Sequence, residues 1–136
     1  MNTENMENIY QNIANVLNDM LPEEWSRILL YAEIREGDAH IFFYYYPINS
    51  KKPIYSLKIE EKFNLDIQRY SELENQLYDY CEELWHEFGV QQQEKWTSLT
   101  FILDNNGKMK VHYQYNDLSE IDPTSKRKQW EEKYLP

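Results

Sequence analysis

Residues 96–118, WTSLTFILDNNGKMKVHYQYNDL, decide the fold. Leu99, Phe101 and Leu103 alternate in the first half, and Val111, Tyr113 and Tyr115 alternate in the second. A period of two marks strands with one face buried. Between them sits Asp104-Asn105-Asn106-Gly107, and Asn and Gly accept the positive φ that tight hairpin turns demand. The stretch reads as a hairpin. It runs on through Asn116-Asp117-Leu118 into a short charged segment ending in Trp130 and Tyr134.

Working upstream, residues 67–88 predict a long helix. Tyr70, Leu73, Leu77, Cys81, Leu84 and Phe88 fall on one face, and Gly89 is expected to stop it. The opposite face gathers Glu72, Asn75, Asp79, Glu82, Glu83 and His86. Before it, Tyr55, Leu57 and Ile59 alternate as an expected strand, and Glu60 to Asp66 reads as a connection anchored by Phe63.

Residues 25–46 predict another hairpin. Ile28, Leu30 and Ala32 alternate with Leu29, Tyr31 and Glu33, a mostly apolar run that suits a central strand. Glu36-Gly37-Asp38 is the turn. The return strand, His40 to Tyr46, carries Phe42, Phe43, Tyr44, Tyr45 and Tyr46 in a row. Consecutive strand residues point to opposite faces, so aromatics lie on both sides. One side packs under helices; the other needs a second covering element or is offered to a partner.

At the N-terminus, Met6, Ile9, Ile13, Val16, Leu17 and Met20 recur at three- and four-residue steps, giving a helix over 4–20. Thr3, Glu4 and Glu7 suit its start, and Pro22 its end. At the other end of the chain, Pro123 opens a short helix, Thr124 to Tyr134, in which Arg127, Trp130 and Tyr134 share a face. The fold expected is α+β: an antiparallel sheet of about five strands packed against an N-terminal helix and a long central helix, with a short C-terminal helix. A chain of 136 residues suits one domain over 1–136.

Composition narrows function. No apolar run is long enough to span a membrane. The start, MNTENMENIYQ, lacks the basic and apolar parts of a signal peptide. Cys81 is the one cysteine, which fits a reducing compartment, so a cytoplasmic protein is expected. Fourteen basic residues against 24 acidic ones give a formal charge of −10. Such a surface repels phosphate backbones and steers basic partners, though acidity also serves plain solubility. From Glu60 to Glu87 alone there are nine acids and two bases.

Chemistry is harder to find. His40, His86 and His112 lie on different elements without metal-ligand spacing, and Cys81 falls on an apolar helix face. No nucleophile elbow, glycine-rich phosphate loop or CxxC pair occurs. Glu82-Glu83 with His86 could be pictured as a metal set, but an exposed acidic helix face holds such pairs by chance, and Glu60 and Glu61 would matter only if they converged in a cleft. No catalytic, metal-ligating or cofactor-binding residue is assigned, and an enzyme is not expected.

The opening stretch, followed by Asp122-Pro123, Arg127, Trp130 and Lys133-Tyr134-Leu135, resembles the C-terminal pattern of the YezG-like antitoxin (immunity protein) family. Tyr55-Ser56-Leu57, Glu61-Lys62-Phe63, and the IYQNIAN helix with Pro22 and Trp25 extend the resemblance over nearly the whole chain. The resemblance implies a small cytoplasmic antitoxin of Gram-positive bacteria. Such proteins bind a secreted toxin, often of LXG type or exported by type VII secretion, with a nuclease domain. An acidic inhibitor suits a partner that itself grips nucleic acid with basic residues. Glu72, Asp79, Glu82 and Glu83, with Asp117 and Glu120, are the expected partner-binding residues. The alternative is an acidic adaptor that holds a secreted effector without inhibiting it. No direct nucleic-acid or membrane contact is expected, and the oligomeric state stays open.

Overall fold

A computed structural model describes residues 3–135. In chain order it contains α1 (Thr3–Met20), β1 (Trp25–Arg35), β2 (Asp38–Pro47) and β3 (Ile54–Tyr55). A 3-10 turn (Ser56–Lys58) runs into α2 (Ile59–Lys62), then come α3 (Ile67–Val90), β4 (Ser98–Asp104), β5 (Met109–Gln114) and α4 (Pro123–Tyr134). The five strands form one sheet in the order β3-β2-β1-β4-β5, with every neighbouring pair antiparallel. The architecture is α+β, with an N-terminal helix, a long central helix and a short C-terminal one.

β1 is central because both of its faces are apolar. Ile28, Leu30, Ala32 and Ile34 join Phe43, Tyr45, Leu99, Phe101 and Leu103 in the main core, under α1 and α3. Met6, Ile9, Ile13 and Leu17 from α1, and Leu73, Leu77, Cys81 and Leu84 from α3, cover that side. Both helices place their apolar side chains three and four residues apart, so each seats one stripe on the sheet. Trp85 is also buried there and donates its indole N–H to the Trp96 carbonyl at 2.9 Å.

The other face of the sheet carries Leu29, Tyr31, Phe42, Tyr44 and Tyr55, and α4 lies across it. Asp122 caps α4 by accepting from the Ser125 backbone N–H at 2.9 Å, and Pro123 fills the first turn, where no amide is needed. Trp130 packs edge-on to Phe42 at 5.2 Å and donates its N–H to Thr100 Oγ1 at 2.9 Å. The aromatic run of β2 is thus divided between two layers: Phe43 and Tyr45 inward, Phe42 and Tyr44 under α4.

The central hairpin forms as its sequence predicts, with one refinement. Within Asp104–Gly107 only Gly107 takes a positive φ, 89°. The asparagines act through their side chains instead. Asn106 accepts from the Lys108 N–H at 3.0 Å, and the Asn105 amide donates to the Trp25 carbonyl at 3.3 Å, tying the hairpin tip to β1.

Three expectations need correction. The alternation Tyr55, Leu57, Ile59 is not a strand beyond Tyr55: the chain coils at Ser56, Leu57 is left 65% exposed, and Ile59 is buried as the first residue of α2. Its cause is Ser56, whose hydroxyl accepts the Phe43 N–H at 3.2 Å and replaces the next ladder bond. Gly89 does not stop α3, which continues to Val90. The left-handed residue that ends it is Gln92 (φ 58°), with the Gln93 N–H returning to the Phe88 carbonyl at 2.8 Å. Gly89 instead leaves room for the Lys95 side chain, whose Cε would lie 2.7 Å from a Cβ there and whose ammonium sits 4.1 Å from the Trp85 ring centre. Tyr115 lies beyond β5 and is 45% exposed. The Thr3 side chain, expected at the start of α1, lies outside the described residues.

Candidate partner-binding face

Charge is distributed unevenly across the sheet. Segments 3–20 and 59–90, which form the helical layer over the main core, hold twelve carboxylates and two bases. The rest of the chain holds twelve of each. The entire excess of −10 therefore belongs to one side of the molecule. The cause is local: the inner stripes of α1 and α3 are used up by the core, and their outer positions are filled mostly with Glu, Asp, Asn and Gln.

Glu72, Asp79, Glu82 and Glu83 are all exposed on α3. Positions 72, 79 and 83 are seven and four residues apart, which stacks them along one stripe. None of the ion pairs found among the described residues engages a carboxylate of α3. Glu82 also reaches the end of the first hairpin, where it lines a shallow cleft with Arg35, Asp38, Trp85 and His86.

Asp117 and Glu120 are exposed too, but they sit in the β5–α4 connection, which leads to the opposite face. The six expected residues therefore divide into four on α3, three of them in one stripe with Glu82 beside it, and a pair on a loop. Asp117 is engaged locally: its carboxylate accepts from the Ser119 hydroxyl at 2.7 Å and the Ser119 N–H at 2.9 Å. Those two bonds hold it below the usual carboxylate range, with Arg35 adding a weaker pull.

The α4 side is built differently. Glu33, 4% exposed, accepts from Lys126 Nζ at 2.9 Å and from the Tyr31 hydroxyl at 2.8 Å. Arg127 lies over the Tyr55 ring and donates to its hydroxyl at 3.1 Å. Burial, with the hydrogen bond to Glu33, drives the Tyr31 phenol far above its usual range. Lys126, Arg127 and Trp130 work here as struts between α4 and the sheet; the sequence spacing put Arg127 and Trp130 on a shared face but gave no sign of Lys126.

The groups considered for chemistry stay apart. Glu60 and Glu61 are both exposed on α2, and Glu61 is turned toward Lys58 at 3.6 Å. Cys81 is fully buried, and burial pushes its thiol up to about 12. His40 pairs with Asp38 at 3.2 Å and His112 with the Tyr134 hydroxyl at 3.2 Å, while His86 lies edge-on to Trp85. Among the described residues no three His, Cys, Asp or Glu side chains are grouped to hold a metal ion. No described helix is long and apolar enough to cross a membrane.

Architecture and charge define a small α+β domain with one strongly acidic helical face. The chain belongs to the YezG-like immunity protein family, whose model, described as "Immunity protein YezG-like", matches residues 6–136. It is 36% identical over 137 residues to Immunity protein YezG of Bacillus spizizenii, covering 99% of this chain and 85% of the relative. It is 33% identical to Immunity protein YezG of Bacillus subtilis, with 96% and 87% covered. To the type VII secretion system protein EsaG of Staphylococcus aureus it is 34% identical over 114 residues, 84% of this chain and 70% of that one.

Proposed function

We propose that this protein is a cytoplasmic antitoxin that binds the nuclease domain of a cognate secreted toxin and blocks it by direct contact through its acidic helical face. The observation that supports this most is the segregation of charge: the whole excess of −10 covers one side of the sheet, while the rest of the chain is balanced. A domain that cleaves nucleic acid must present cationic side chains to phosphates, so a rigid row of carboxylates competes for the same groups. Long-range attraction raises the association rate, and loses strength as salt is added. The names of the relatives, two immunity proteins and one type VII secretion protein, favour the same reading and a non-enzymatic role.

Glu72, Asp79, Glu82 and Glu83 form the centre of the proposed contact, with Asp117 and Glu120 reached only by a partner that wraps the hairpin end. The test is co-expression with the nuclease domain of a candidate secreted toxin from the same genome, followed by a nuclease assay on the purified pair. A tight complex without activity is expected; a complex that still cuts would replace inhibition with adaptor function. Reversing Glu72, Asp79, Glu82 and Glu83 to Lys is expected to weaken binding by about a hundredfold at low salt, with less effect at high salt. Reversing Lys128 and Lys133 on α4 serves as the control. Unchanged affinity in the fourfold variant would move the contact off α3.

A further inference from the structure

The two edges of the sheet are treated in opposite ways. In β2 the residues whose backbone groups face away from β1 are the odd-numbered ones, since the Phe43 N–H is directed to Ser56, beyond β3. Where β3 gives out, side chains take over. The Ser56 hydroxyl takes the Phe43 N–H, and the Tyr78 hydroxyl engages the backbone of Ile41. That edge is closed against another strand.

The β5 edge has no such cover. The Asp104 N–H bonds to the Lys108 carbonyl, so the even-numbered residues of β5 face β4 and Met109, Val111 and Tyr113 direct their backbone groups outward. Among the described residues no side chain or loop takes up those groups. Natural sheets guard such an edge with proline, a bulge or charged side chains, lysine above all; β5 has no proline and no bulge, and its guard is reduced to Lys110 with Lys108 just before it. Two of the exposed large apolar side chains, Met109 and Tyr115, flank it.

We propose that β5 pairs with β5 of a second copy of this chain, antiparallel about a two-fold axis at His112. Side chains directly opposite must share a sheet face, so the register joins residues of equal parity. Centred on His112, it sets Met109 against Tyr115 of the second copy and Val111 against Tyr113, covering the exposed apolar pair. Lys110 meets Gln114 rather than another lysine, and Lys108 is laid beside the Asn116-Asp117 turn of the second copy, base against acid. The segment 105–116 contains no carboxylate, so the copies meet away from the helical face that carries each one's excess charge. The product is a continuous ten-stranded sheet with both acidic faces on the same side.

The test is independent of any toxin. Sedimentation of the purified protein over a concentration series is expected to show a dimer that dissociates on dilution. Val111→Pro removes an N–H that the single chain does not use, so it leaves the fold intact and weakens the dimer at least about tenfold. Register is tested by two double variants. Met109→Lys with Tyr115→Lys opposes like charges at both ends of the axis and breaks the dimer; Met109→Lys with Tyr115→Glu restores opposite charges and keeps it. A wild-type monomer at every concentration overturns the proposal, as does a dimer indifferent to all three variants. A wild-type monomer whose Val111→Pro form loses its toxin also overturns it, and gives the edge to a toxin strand.

Discussion

Beneath α1 and α3 the sheet offers Ile28, Leu30, Phe101 and Leu99, all fully buried, to two long helices that supply matching aliphatic stripes. Beneath α4 it offers Tyr31, Phe42, Tyr44 and Tyr55 to one short helix that buries a single side chain, Trp130. The first face is stabilised by area removed from water and needs few directional contacts. The second is fixed by named bonds: Trp130 to Thr100, Lys126 to Glu33, Arg127 to Tyr55. Outside surfaces differ as well. The helices of the first face carry the negative charge, whereas α4 holds four bases and two acids. One sheet thus supports a rigid acidic layer on one side and a lighter, specifically pinned strap on the other.

If the faces differ in this way, substitutions should separate them. Phe101 lies at the centre of β4, fully buried in the main core and 6.3 Å from the Tyr10 ring. Phe101→Ala removes a large buried ring between two layers that cannot collapse, so a loss of about 3–5 kcal/mol is expected in chemical denaturation. The whole domain should lose hydrogen-exchange protection together, because β1, β4 and both long helices share that cluster. A smaller loss would mean that the core rearranges around the gap.

Trp130→Ala comes next, at about 2–3 kcal/mol. Deleting a buried Trp ordinarily costs more, but here the loss is capped by the free energy with which α4 docks. Amides of α4 should exchange freely while those of α3 keep their protection, and the near-ultraviolet signal of the aromatic layer should fall. If α3 amides exchanged as readily as in Phe101→Ala, the two faces would be one cooperative unit and the contrast would fail.

How much of this was legible beforehand follows the same division. Periodicity is a record of which side chains share a face, so the inward stripes of α1 and α3 and the alternation of β4 could be read directly. The acid stripe on α3 was visible for the same reason, being the complement of an apolar one. What pattern could not reveal were contacts between elements distant in sequence. Glu33 read as an ordinary strand residue, yet it is buried because Lys126, 93 residues later, lands on it. Nor could spacing show that Asp117 and Glu120 would be separated from α3, since that depends on which face the last connection crosses to. Ser56 misled for a simple reason: a two-residue period looks the same whether the ladder continues or a hydroxyl takes over its next bond. Likewise, Gly89 invited a helix stop, although the helix runs through it to Val90 with Lys95 lying against it.

The smallest expected effect lies at the uncovered end of the α4 face. Arg27 on β1 and Asp104 on β4 pair there, at 2.6 Å and 3.2 Å, beyond the reach of the helix. Arg27 holds the Asp104 carboxyl below its usual range, chiefly through the hydrogen bond, although burial opposes it. A carboxyl whose folded pKa is depressed adds stability above its unfolded value near 4, and loses it as pH falls through the folded pKa. Both side chains are substantially solvated, so the contribution is about 0.5 kcal/mol after screening. Asp104→Asn keeps the shape of the turn residue and its backbone bond from Gly107. It should melt about 2 °C below the wild type at pH 6, with the gap narrowing as pH falls below about 4 and closing only below the depressed folded pKa, where both proteins lack the charge. A gap of the same size at pH 6 and pH 3 would trace the loss to turn geometry, and this end of the sheet would then be held by its hairpin alone.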